Sequence, residues 1–391
     1  MVLELGTNGI RALFDELNAS SALDIGFGFG MFIKENTKKE KPTIALARDM
    51  RLTSPVIFSA AAAGLMEAGC DVLDFGICPS PVAEWGLDYY KADGLIIVTA
   101  SHNPPEWNAL KFVDWNKIPI SQERGKKILA FISKEHKPKL DYKKIGNMHD
   151  YKNVLNEYKN AVLKFVNLKV DKKLKIIVDV GNGTSTLVLP QILKEIGLEL
   201  KVINQELDGR FPSRPSEPTE KNLATLIKIV KEQKADCGVG LDGDADRITF
   251  VDEKGRWIIG DKVLAICVFY LLKNSFNLKD KVLITTYATS KIVQGIGLRF
   301  GIKTIYTDIG APYLAEEIYN NKDRCLIAGE EVGGVVFPQF SIAKDGILTA
   351  AMLSKILLEK KLSMWVDELP EFYNSKIKIL ADERIKIKLV E

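Results

Sequence analysis

The sequence predicts an α/β protein built from three consecutive related units with mixed sheets, and three observations carry that expectation. Apolar runs of strand length alternate with helix-length segments along most of the chain, the pattern of strands joined by crossover helices. A plan of strand, polar loop and helix recurs in each third of the chain. The length of 391 residues exceeds one ordinary domain and points to two to four.

In the first unit, Gly6-Thr7-Asn8-Gly9 forms a tight turn, and Arg11 behind it offers a fork for phosphate. Gly26, Gly28 and Gly30 do not read as a phosphate loop. No strand precedes Ala22–Lys34, and Gly26 and Gly30 lie one helical turn apart, so close packing of a helix face is expected. Thr43–Ala47 is a strand and Arg48–Arg51 its loop. Ser54 is placed as the N-cap of the next helix, with Pro55 at its first position and Gly69 at its end. Val72–Phe75 and Leu95–Val98 follow as strands, and Pro104-Pro105 halts regular structure. Ser101 and His102 therefore stand at a strand end, where α/β sheets bind ligands. A serine beside a histidine, with Lys111 ten residues on, is a candidate nucleophile with a base or cation nearby. Glu135–Asn156, rich in Lys, Asp and Tyr, reads as an inter-domain connection with His136 and His149 on its surface.

The second unit opens with the strand Lys175–Val180 and the helix Leu187–Ile196. The intervening Gly181-Asn182-Gly183 lacks the third glycine of a dinucleotide loop. An irregular, proline-rich loop, Asp208–Pro218, precedes a helix at Lys221–Lys231. The strands Cys237–Gly240 and Ile248–Asp252 flank Gly240-Leu-Asp-Gly-Asp-Ala-Asp-Arg247, and Glu253–Arg256 is a hairpin turn. On an extended backbone the carboxylates of Asp242, Asp244 and Asp246 point to one side. Three close carboxylates repel unless a cation neutralises them, and oxygen-only ligands select a hard ion. Three ligands leave positions open for water or phosphate, which suits catalytic Mg²⁺. An EF-hand loop is the competitor, but Arg247 stands where that loop needs glycine, and the flanks are strands.

The third unit begins near Asp261, with strands at Val282–Thr286 and Thr304–Tyr306 and a helix at Ser290–Phe300. Its loops are Thr307–Gly310 and Gly329-Glu330-Glu331-Val332-Gly333-Gly334. The latter follows the strand Cys325–Ala328, so Glu330 sits at a strand end, where a carboxylate can accept hydrogen bonds from adjacent sugar hydroxyls. Lys376–Leu380 and Ile385–Leu389 alternate as two further strands. The expected domains are 1–150, 151–255, 256–368 and the opening of a fourth at 369–391.

A formal charge of +3 is close to neutral for this length and argues against nucleic acid or a membrane surface as partner. No apolar run reaches the roughly 20 residues of a membrane span. Five scattered cysteines without metal or disulfide spacing fit a reducing cytoplasm.

The paired motifs Thr99-Ala-Ser-His-Asn-Pro104 and Asp242-Gly-Asp-Ala-Asp-Arg247 resemble those of the α-D-phosphohexomutases, the family of phosphomannomutases, phosphoglucomutases and phosphoglucosamine mutases. The resemblance implies a phosphoryl group on Ser101 and Mg²⁺ held against it by Asp242, Asp244 and Asp246. It implies transfer between the 1- and 6-positions of a phosphorylated hexose, with a trace of sugar bisphosphate as activator. It places Arg11, His102, Lys111 and Arg247 in the active site, and Glu330, Val332, Gly310 and Lys344 around the sugar. The chain departs from the family pattern at Asn8, at Ala109 in place of a glycine, at Val332 in place of Ser or Asn, and at Gly334, where His is often found. The family's fourth-domain string R-x-S-G-T-E-P is absent from the sequence, so a weak mutase is expected. The alternative is a relative that binds or hydrolyses phosphosugars without efficient mutase activity. Which hexose is preferred and the oligomeric state stay open.

Overall fold

The computed structural model describes residues 5–6, 9–132 and 141–372. The first domain runs β1 (Leu5–Gly6), β2 (Gly9–Leu13), α1 (Ala19–Thr37), β3 (Thr43–Arg48), α2 (Ser54–Glu67), β4 (Asp71–Ile77), α3 (Ser80–Tyr89), β5 (Gly94–Val98), β6 (Trp107–Val113), α4 (Gln122–Ala130) and β7 (Met148–Asp150). Its seven-stranded sheet has the order β1-β2-β6-β5-β3-β4-β7. β5, β3, β4 and β7 are parallel, while β6 and β2 run antiparallel to their neighbours. The apolar strands form because every residue of β5 is buried, as a strand covered on both faces requires. The glycines of α1 serve packing, as expected. A Cβ on Gly26 would run into the backbone of Ala61, and one on Gly64 of α2 would lie 2.7 Å from the amide nitrogen of Phe27.

The second domain contains α5 (Val154–Val166), β8 (Lys175–Asp179), α6 (Leu189–Ile196), β9 (Glu199–Ile203), α7 (Ala224–Glu232), β10 (Cys237–Leu241), β11 (Ile248–Asp252) and β12 (Trp257–Ile258), with sheet order β12-β11-β10-β8-β9. The third contains α8 (Gly260–Asn274), β13 (Val282–Thr286), α9 (Ile292–Arg299), β14 (Lys303–Thr307), α10 (Ala311–Asn320), β15 (Cys325–Glu330), β16 (Gly334–Val336), α11 (Gly346–Glu359) and α12 (Leu362–Asp367), with order β14-β13-β15-β16.

The three sheets share one device. Each has a parallel strand followed by an antiparallel return: β5 to β6, β10 to β11 and β15 to β16. The loops closing the first two hairpins carry Ser101 and the aspartate triad, and Glu330 ends β15 at the mouth of the third. The domains meet behind them in an aromatic cluster. Trp85 of α3, Tyr158 of α5 and Phe340 lie with ring centroids 5.7, 5.8 and 6.3 Å apart.

Several expectations need correction. Ser54 is not the N-cap: Thr53 precedes the helix, and the Ser54 hydroxyl is spent on the Asp49 carboxylate at 2.6 Å. The connection Glu135–Asn156 contains a strand, since Met148–Asp150 pairs with β4 as the sheet edge. Gly146 permits this, because a Cβ there would collide with the Cys70 backbone. The helix expected at Leu187 begins at Leu189, after a 3₁₀ turn at Thr184–Leu187. The helix expected at Lys221 begins at Ala224. His149 is exposed, as expected; His136, the Thr7-Asn8 turn and the strands expected at 376–380 and 385–389 lie outside the described residues. Among the described residues no helix is long and apolar enough to cross a membrane, and all five cysteines are free and buried.

Candidate active site

Ser101 is delivered by β5 into the left-handed region, with φ of 50°. An L-residue held there carries strain of order 1–3 kcal/mol, which the surroundings must outweigh. They do so by clamping the loop. The buried guanidinium of Arg51 donates to the carbonyls of Ser101 at 2.9 Å, Asn103 at 2.7 Å and Trp107 at 3.2 Å, and to the carboxylate of Asp49 at 3.0 Å. Ser216, from the proline-rich loop, donates to the Ser101 carbonyl at 3.2 Å and accepts from the Gly243 amide at 2.9 Å, so one hydroxyl bridges two of the hairpin loops.

The Ser101 hydroxyl donates to Asp242 Oδ2 at 2.7 Å. His102 Nδ1 lies 3.4 Å from the Ser101 hydroxyl oxygen. Burial, together with the cations Arg247 and Arg11, pushes the His102 imidazole down to about 3, so it is neutral at neutral pH. Arg11, on β2, donates to Asn103 at 2.6 Å. Ala109 sits opposite it in β6 with an ordinary strand conformation, so the missing glycine costs nothing there.

The segment Asp242–Asp246 is a tight turn and not the extended run expected from the alternation. Ala245 takes φ of 64°, and this turn, not a period of two, brings the three carboxylates to one place. One oxygen from each lies within 4.8 Å of the others, and all three residues are buried. The turn is held from outside. Gly243's carbonyl accepts from Thr184 at 2.9 Å, and Ser80 at the start of α3 donates its amide to the Asp244 carbonyl at 2.9 Å and its hydroxyl to the carboxylate at 2.7 Å.

Lys111 of β6 lies 2.6 Å from Asp244 and 3.7 Å from Asp246. Lys344 lies 3.4 Å from Asp246 and 2.6 Å from Glu330. Burial and the neighbouring carboxylates Asp244 and Asp246 push Asp242 well above the usual range. Burial acts on Asp244 and Asp246 too, but Lys111 outweighs it for Asp244, and Lys344 with Lys111 for Asp246, so both are held low. Asp244 Oδ1 and Asp246 Oδ1 are buried without hydrogen-bond partners. Orphaned carboxylate oxygens in an all-oxygen donor set fit a hard divalent ion such as Mg²⁺.

A cavity of about 310 Å³ opens above these groups, lined by Arg11, Ser101, His102, Lys111, Asp246, Arg247, Gly310, Glu330, Val332 and Lys344 among others. The structure thus brings all the expected site residues to one place, with Asp242 and Asp244 just beneath the cavity wall. Gly310, with φ of 137°, precedes α10 at its edge. Arg51, Ser80, Asn103 and Ser216 were not expected from the sequence. Their contacts go to distant residues, in part to backbone carbonyls, and nothing local in the sequence signals those.

Fold and site together define a three-domain α/β protein whose domains converge on a cation-lined cavity beside an aspartate cluster suited to a hard metal ion. Family models described as phosphoglucomutase/phosphomannomutase α/β/α domains I, II and III match residues 2–139, 156–255 and 259–373. A phosphoglucomutase/phosphomannomutase of Thermococcus kodakarensis is 36% identical over 95% of this chain and 81% of its own length. A phosphoglucosamine mutase of Methanococcus maripaludis is 32% identical over 99% of this chain and 83% of its own. A crystal structure of a phosphoglucomutase/phosphomannomutase family protein from Burkholderia thailandensis superposes with a TM-score of 0.83 at 25% identity, covering 95% of this chain and 81% of that one. The chain belongs to the phosphoglucomutase/phosphomannomutase family, a family of isomerases.

Proposed function

We propose that the protein interconverts the 1- and 6-phosphates of a hexose, whether mannose, glucose or glucosamine, through a phosphoserine at Ser101 and a sugar bisphosphate intermediate. The observation that carries this reading is the Ser101 hydroxyl, buried at a strand end and bonded to Asp242, at the wall of a cavity that also holds four cationic side chains. Such a serine can carry a phosphoryl group. The bond between its oxygen and phosphorus breaks as the free sugar hydroxyl attacks and forms the new oxygen–phosphorus bond; the hydroxyl proton ends on the departing serine oxygen, giving the bisphosphate and free Ser101. After the sugar turns over, the other phosphoryl group returns to the serine. Arg11, Arg247 and Lys111 stabilise the negative charge of the group in transit. Lys111, held against Asp244, acts as a fixed cation and not as a base. His102, neutral, borders the serine oxygen, and Glu330 orients sugar hydroxyls while Val332 and Gly310 shape the wall beside it. Asp242, Asp244, Asp246 and phosphorylated Ser101 would hold Mg²⁺, which neutralises charge on a phosphoryl group in transfer.

The test is conversion of glucose 1-phosphate to glucose 6-phosphate, started with a trace of glucose 1,6-bisphosphate and followed by a coupled assay. Wild-type protein is expected to turn over and to carry one phosphate by intact mass. Ser101→Ala should lose both while keeping its melting temperature. Turnover near wild type in that variant sinks the nucleophile assignment.

A further inference from the structure

Lys344 does something that its position near a sugar site does not require. It lies on the loop just before α11 in the third domain, yet its ammonium reaches two carboxylates from different domains: Glu330 Oε1 at 2.6 Å, and Asp246 Oδ2 at 3.4 Å. Its side chain is only 11% exposed, and Glu330 and Asp246 are comparably covered. Glu330 stands directly opposite Gly334 in the β15–β16 hairpin. The stem of Lys344 passes over that glycine on its way to Glu330. A Cβ on Gly334 would overlap Lys344 Cδ and come within 3.1 Å of its Cγ. Gly334 has no left-handed φ, so conformation does not demand glycine there; the space taken by the lysine stem does.

We propose that Lys344 is a positioning residue, a cationic strut that ties the sugar-facing carboxylate of Glu330 to the metal-loop carboxylate of Asp246, and that Gly334 is glycine to let the strut pass. The sugar half of this inference rests on the function proposed above. The strut has two opposed effects. It holds Glu330 in one orientation, which favours sugar binding. It also places a positive charge beside one of the three carboxylates that would hold a divalent cation, which opposes cation binding. Removing the charge therefore weakens one ligand and tightens the other. A loss of folding weakens both.

The experiment compares wild type, Lys344→Met and Gly334→Ala in the full chain. Mn²⁺ binding is measured by electron paramagnetic resonance, and KM and kcat are measured for glucose 1-phosphate. Lys344→Met keeps the length of the stem and removes the charge. It is expected to bind Mn²⁺ about tenfold more tightly, the scale of losing an opposite charge at this range. Its KM should rise about tenfold or more, with a smaller change in kcat. Gly334→Ala leaves the lysine chemically intact but dislodges it, and should move both quantities the same way by less. Mn²⁺ binding that is unchanged or weaker in Lys344→Met overturns the proposal, as does an unmoved KM in an active protein. If wild type shows no turnover, the proposed function is what fails, and the Mn²⁺ comparison still decides the strut.

Discussion

Arg51 shows how much of this site depends on one side chain away from the chemistry. Its five N–H donors are spent on the carbonyls of Ser101, Asn103, Pro104 and Trp107 and on Asp49, and its side chain is closed to water. It is what makes a left-handed serine tolerable. Arg51→Met removes the clamp, leaves Asp49 buried without its cation, and should cost about 3–5 kcal/mol in urea denaturation. Because loop position decides reactivity, turnover should fall by about a hundredfold even where the variant remains folded. A variant with normal turnover would show that the loop holds itself. At this scale the sequence is uneven as a guide. Ser101, Lys111 and the aspartates could be named because their types and spacing state a chemistry. Arg51 could not, since its partners are carbonyls fifty or more positions away.

Strands and hairpins were legible because burial writes itself into apolar runs: β5, β10 and β13 are buried at every position, and their sequences read that way. β7 was missed because all three of its residues are exposed and it joins the sheet only through its backbone. The aspartate turn was misjudged for a related reason. Alternation at a period of two also arises when a turn folds on itself, and the left-handed alanine that does the folding leaves no signature. The helix pair α1 and α2 offers a test at this level. Replacing Gly64 with alanine gains about 1 kcal/mol of helix propensity. It also drives a Cβ against the backbone of Leu23 and Phe27, where no side chain can swing aside. Overpacking of this kind costs about 1–3 kcal/mol, so Gly64→Ala should lower the denaturation midpoint. A rise would mean the helices separate freely.

Across the whole molecule, one buried acid links pH to the joining of domains. Asp345 caps α11 through the Leu348 amide at 2.8 Å and accepts the hydroxyl of Tyr158 from the second domain at 2.6 Å. Burial pushes its carboxyl up to about 6 in spite of those bonds. Raised above its unfolded value near 4, it keeps its proton in the folded state when the unfolded chain has lost it. Its contribution to stability is therefore fully present below about pH 4 and is lost as pH rises through 6, a swing of about 3 kcal/mol. Urea denaturation of wild type and Asp345→Asn at pH 4 and at pH 7 should show wild type gaining by that amount on the acid side. Parallel behaviour of the two proteins would place the charge elsewhere.

The aromatic junction has an optical consequence. Trp85 sits where three domains touch, whereas Trp365 is sealed inside the third, against Phe269 and Tyr270. The two indoles are buried by different events. If the domains part before any one of them melts, water reaches Trp85 first, and its emission moves to longer wavelength while Trp365 and the far-ultraviolet ellipticity hold. Comparing Trp85→Phe with Trp365→Phe through a denaturant series assigns the two components. A single coincident transition in both would mean that the junction and the domain interiors give way as one unit; a split would turn Trp85 into a gauge of how far the cleft has opened.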